Sequence, residues 1–81
     1  MAAEVAAEVA EHTGEQELTP KETDVLSLIA AGNANKEIAA QLSITEETVK
    51  SRVKSILDKL GANDRTHAVS IALKRGIIEL P

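Results

Sequence analysis

Lys50, Ser51 and Lys54 are the residues whose types and spacing best suit recognition chemistry. At about 100° per residue, with Lys50 at zero, they share one side of a helix with Glu47 and Asp58, between roughly 0° and 100°. Lys50 and Lys54 then stand one turn apart, about 6 Å along the axis, while base steps of a duplex advance ~3.4 Å per strand. Two ammonium groups at that spacing can reach successive or next-but-one base pairs, where lysine donates to O6 and N7 of guanine. Ser51 is short enough to allow close approach, and it can donate or accept. Thr48, Arg52, Ser55 and Lys59 form a second outward band at roughly 140° to 180° and just beyond. Arg52, Thr48 and Lys59 on that band suit phosphates, which set register without reading sequence. The acidic Glu47 and Asp58 keep a blander possibility open, that of an ordinary solvated surface helix.

The remaining side of this helix decides what must hold it. Val49, Val53, Ile56 and Leu60 fall between roughly 240° and 300°, a narrow apolar stripe that needs a core to face. Three further helices can supply one. Thr19 is placed to cap a first helix, with Pro20 at its first position and Glu22 completing a capping box. That helix is expected to run to about Ala31, with Val25, Leu26, Leu28 and Ile29 on its apolar side and Gly32 ending it in the left-handed conformation. A second helix is expected over Lys36 to Leu42, capped by Asn35 and burying Ile38, Ala39 and Leu42. Ser43-Ile44-Thr45 makes a tight turn, Ile44 inward and Thr45 capping the third helix, Glu46 to Leu60. Two short helices joined by about three residues make a helix-turn-helix. Gly61 ends the third helix, and a fourth spans Arg65 to Arg75 before Gly76. Lys36 and Thr45, at the starts of the second and third helices, join Thr48, Arg52 and Lys59 as candidate phosphate contacts. The β-branched residues fall at helical spacing and never alternate, so no strand is expected. The fold class is all-α, a four-helix bundle containing a helix-turn-helix.

Composition narrows the function. The 81 residues allow one domain, and a chain this short buries only roughly 60% of its unfolded surface, which disfavours a deep catalytic cleft. Phe, Tyr and Trp are absent, so there is no aromatic platform on which single-stranded bases could stack. Without Cys there is neither a disulfide nor a thiolate metal site, which suits a reducing cytoplasm. No apolar run approaches the ~18 residues of a membrane span, and no secretory signal pattern follows Met1. His12 and His67 show no ligand or catalytic spacing, so neither an enzyme nor a cofactor or metal site is expected. The net charge of −4 looks unfavourable for binding phosphates. It is unevenly distributed. Residues 1–17 hold Glu4, Glu8, Glu11, Glu15 and Glu17 and no Lys or Arg, leaving 8 of the 13 acidic residues against all nine basic ones, a net of +1. Residues 1–17, with their A-A-E-V repeat and the break at His12-Thr13-Gly14, read as a linker or tail, partly helical, ahead of a domain at 18–81.

From Leu18 to about Ile78 the chain resembles the LuxR-type helix-turn-helix domain of FixJ/NarL-class response regulators. The resemblance is carried by L-T-P-K-E at 18–22, A-G-N-A-N-K-E-I-A at 31–39, L-S-I-T-E-E-T-V-K-S-R-V-K at 42–54 and L-G-A-N-D-R-T-H-A-V at 60–69. It implies sequence-specific binding to double-stranded DNA in bacterial transcription regulation, with Lys50, Ser51 and Lys54 facing bases and Thr48 and Arg52 facing the backbone. A common variant of the family has His where Arg52 stands. The resemblance further implies a cytoplasmic two-component system, a receiver domain joined through residues 3–12, and RNA polymerase as a partner. It also implies pairing through the fourth helix. There Ala68, Val69, Ala72 and Leu73 make the core face, and Ile71 lies on the other side with His67, Ser70 and Lys74. The homodimer is expected to be weak without DNA. Two other readings stay open. Region four of a sigma factor carries a similar reading helix but lacks the D-R-T-H-A-V helix and closing G-I-I, and a protein-interaction bundle could present the same basic side to an acidic partner.

Overall fold

The computed structural model describes residues 17–80, which form four helices and no strand. The expected linker at 1–17 therefore lies outside the described residues except for Glu17. Helix α1 is Pro20–Ala30, α2 is Asn35–Leu42, α3 is Glu46–Leu60 and α4 is Arg65–Arg75.

The capping box of α1 is complete. Thr19 Oγ1 accepts the Glu22 N–H at 3.1 Å, and Glu22 Oε1 accepts the Thr19 N–H at 2.8 Å. The helix stops one residue earlier than its periodicity suggests, at Ala30, and Gly32 takes the left-handed conformation at φ +96°. The following loop is stapled by side-chain amides: Asn33 Nδ2 donates to the Leu28 carbonyl, and Gln41 Nε2 donates to Asn33 Oδ1, both at 2.9 Å. Asn35 does not cap α2, contrary to expectation, but lies inside its first turn. Ala34 occupies the cap position in extended conformation, and its N–H donates to Glu37 Oε1 at 2.7 Å. The Glu37 carboxylate thus supplies the reciprocal half of a capping box, while alanine at 34 offers no side-chain acceptor to the first-turn N–H groups.

Ser43 makes the sharp part of the helix-turn-helix by adopting φ 58° and ψ 45°. It is the position of positive φ held by a residue other than glycine, and a Cβ there costs about 1–2 kcal/mol. Ser43→Gly is accordingly expected to raise stability by about 1 kcal/mol, read as a higher urea midpoint at unchanged m-value. Thr45 then caps α3, its Oγ1 accepting the Thr48 N–H at 3.0 Å. Gly61 and Gly76 close α3 and α4 with φ 65° and 75°.

The four apolar faces meet in one core of Val25, Leu26, Ile38, Ala39, Val49, Ile56, Leu60, Ala68, Ala72 and Ile78. Leu42, Ile44, Val53, Val69 and Leu73 pack around its edge. Ile78, beyond the last helix, closes the bottom of the bundle at 5% exposure. One placement differs from the helical wheel. The wheel groups Ile71 with the outward residues of α4, yet it is half-buried against the core. The bundle wraps α4 further than one face, and an isoleucine at that boundary gains by turning its branched chain inward.

Candidate nucleic-acid interface

Helix α3 is the longest of the four, and its two sides are sharply different. Val49, Ile56 and Leu60 are at most 3% exposed, whereas Lys50, Ser51 and Lys54 are all exposed. The turn at Ser43 and the cap at Thr45 bring α3 out of α2 with its first turn open to solvent. Thr45 and Thr48 share a hydroxyl–hydroxyl hydrogen bond of 2.9 Å there. Lys36 is exposed on the first turn of α2, and Thr48 and Arg52 are half-buried on the flank of α3. Lys50 leans towards Glu47 at 4.0 Å, with the two side chains 61% and 88% exposed. A solvated pair of this length contributes little and leaves the lysine available.

Lys59 is the exception among the predicted phosphate contacts. Its ammonium donates to Glu22 Oε1 at 2.9 Å and is largely covered, with the side chain 22% exposed. Ser55 Oγ donates to the other oxygen, Oε2, at 2.6 Å. The flanking band is thus divided: its C-terminal half, Ser55 and Lys59, is held by Glu22 of α1, and Thr48 and Arg52 are left at its N-terminal half. Lys59 is not a free surface cation.

Glu22 is the residue beside this helix to which sequence reasoning assigns too little. Its part in the capping box is visible in T-P-K-E, but its partners on α3 lie 33 and 37 residues away, beyond any local pattern. The one signal for it is that Ser55 and Lys59 stand one turn apart on a band with no apolar member. Burial alone would raise the Glu22 carboxyl. Donation from Ser55, Lys59 and the Thr19 N–H, with the positive charge of Lys59, overcomes this and lowers it to about 2. The ionised carboxylate therefore ties the start of α1 to the C-terminal half of α3.

On α4, His67, Ser70 and Lys74 are exposed, with Ile71 half-buried beside them. His67 also serves its own helix start, its Nδ1 accepting the Asn63 N–H at 3.0 Å. Among the described residues there is no group of His, Cys, Asp and Glu able to hold a metal ion, and no helix is long and apolar enough to cross a membrane.

The family model described as "Bacterial regulatory proteins, luxR family" matches residues 16–72, covering the helix-turn-helix and most of α4. The chain belongs to the luxR family. The luxR-family domain is 53% identical over 66 residues to the transcriptional regulatory protein YdfI of Bacillus subtilis (strain 168), a match covering 82% of this chain and 31% of that protein. It thus spans about a third of the length of that curated relative. Its fold superimposes on the transcription factor GerE with a TM-score of 0.76 at 31% identity, covering 79% of this chain and 96% of that one. It superimposes equally on the response regulator ChrA of a heme-sensing two-component system, with a TM-score of 0.75 at 36% identity. There the match covers 78% of this chain and 31% of ChrA. The four helices of the luxR-family domain are those of a DNA-binding helix-turn-helix in transcriptional regulators, and the fourth helix after Gly61 belongs to the shared fold.

Proposed function

We propose that this domain reads double-stranded DNA as the output module of a bacterial response regulator, with α3 in the major groove. The observation that carries this is the exposed ridge of Lys50, Ser51 and Lys54 on a helix whose opposite side is fixed in the core. Lys50, Ser51 and Lys54 face base edges; Lys36, Thr45, Thr48 and Arg52 face phosphates. The domain carries recognition and no chemistry of its own. A preceding receiver domain supplies the control by phosphorylation, RNA polymerase is the downstream partner, and the work is done in the bacterial cytoplasm. Titration of the domain with a duplex across a salt series tests the proposal. Affinity should fall linearly in log–log form, with a slope of about −0.9 per phosphate neutralised. A failure to bind any duplex at low ionic strength refutes it.

The outward side of α4 supports pairing of two copies on adjacent half-sites, weakly in solution and more tightly on DNA. Ile71 is a poor probe of this surface, because an acidic residue there would also disturb the core. Ser70 is exposed and makes no contact that the fold needs. Ser70→Arg is expected to leave the thermal midpoint unchanged and to abolish cooperative binding to a two-half-site duplex. Cooperativity equal to the parent's would remove α4 from the pairing surface.

A further inference from the structure

We propose that Lys21 is a further backbone-contacting residue, forming with Arg52 a two-cation cradle for a DNA phosphate on the α1 side of the reading helix. This role rests on the DNA-binding function proposed above. A crevice of about 250 Å³ opens between α1, the turn and α3, lined by Lys21, Asp24, Leu42, Ile44 and Arg52. Leu42 and Ile44 give it an apolar wall, and the two cations reach it from separate helices. Lys21 is exposed and Arg52 half-buried. Among the described residues the ion pairs are Lys50–Glu47 and Lys59–Glu22. Neither cation of the crevice is in one, although Asp24 lines the same surface.

The position of α1 explains why a cation is useful there. Glu22 holds Ser55 and Lys59, so α1 lies along the flanking band of α3 and covers its C-terminal half. Lys21, the neighbouring residue, lines the same crevice as Arg52, which stands on that band one turn ahead of Ser55. The positive charge withdrawn at Lys59 is therefore replaced by one from another helix, nearer the end of α3 that enters the groove. With Lys50 and Lys54 turned to base edges, a strand backbone must pass the adjoining flank, at the mouth of this crevice. Arginine supplies a planar fork for two phosphate oxygens, and lysine supplies a point charge beside it. Asp24 opposes both.

Lys21 sits in the first turn of α1, where a cation is mildly unfavourable to the helix. Its removal should therefore not unfold the domain. Duplex titrations over a salt series with the parent, Lys21→Gln and Asp24→Asn test the role. Lys21→Gln should weaken binding to every sequence about fivefold at low salt and reduce the salt slope by about 1, with base preference and unfolding midpoint unchanged. Asp24→Asn should strengthen binding. If the parent binds and Lys21→Gln matches it in affinity and slope, Lys21 has no such role. If the parent itself shows no duplex affinity, the DNA-binding function fails first and the cradle with it.

Discussion

Glu22→Ala is expected to destabilise the domain by about 2–4 kcal/mol, read as a large drop in urea midpoint at pH 7. One carboxylate serves three donors here: the Thr19 N–H, Ser55 Oγ and Lys59 Nζ. Its loss opens the first turn of α1 and leaves a hydroxyl and an ammonium largely covered without an acceptor. Lys59 retains some access to water, which keeps the cost below that of a fully buried orphan charge. A core of this size supplies only about 3–5 kcal/mol, so the loss consumes most of the available stability. Glu22→Gln separates charge from shape, because its amide oxygen can still accept from Thr19 or Ser55. The carboxyl is held at about 2 against an ordinary 4.5, so its contribution is complete above pH 4.5 and disappears as pH falls through 2. At about 1.36 kcal/mol for each pH unit between those two values, the charge is linked to up to ~3 kcal/mol of stability. The parent should therefore lose more stability than Glu22→Gln between pH 4.5 and 2. Parallel curves for the two proteins over that window would show that the carboxylate is not held in its ionised form.

The four helices are legible in the sequence because the chain marks its own boundaries: T-P-K-E begins α1, and Gly61 and Gly76 end α3 and α4. The apolar stripe of α3 is equally plain, since Val49, Val53, Ile56 and Leu60 recur at helical spacing, with Val49, Ile56 and Leu60 buried and Val53 packed at the core's edge. What escapes is set by contacts between elements. A wheel treats Lys59 as one more outward cation, and only the packing of α1 against that flank shows it bound to Glu22. The same holds for Ile71, which a wheel sets apart from the core face and which the packing between helices half-buries. Ala34 escapes for a different reason. Sequence reading seeks a cap with a polar side chain, whereas Glu37 satisfies the backbone N–H from within the helix. The exposed ridge itself is readable because solvent-facing residues need no partner to be placed.

Replacing Lys50 and Lys54 together by alanine is expected to weaken binding to the preferred duplex by about 100-fold or more, at about 1–3 kcal/mol for each lysine. Both side chains are exposed and neither packs in the core, so the folded domain should be unaltered in melting temperature and far-ultraviolet spectrum. Because the residues are one turn apart, and in the proposed reading reach successive or next-but-one base pairs, their effects need not add, and each single variant should accompany the pair. Affinity alone does not distinguish a base contact from a phosphate contact, since either removes positive charge. Sequence preference does. Selection of bound duplexes from a random pool should return a relaxed consensus for the double variant, with degeneracy at the positions the lysines address. Arg52→Ala, acting at the backbone, should keep the parent's consensus while losing affinity evenly across sequences. The salt slope should fall with each cation removed, by about 1 for Arg52. An unchanged consensus in the double variant would move Lys50 and Lys54 to the backbone and leave specificity to Ser51 and to the deformability of the DNA.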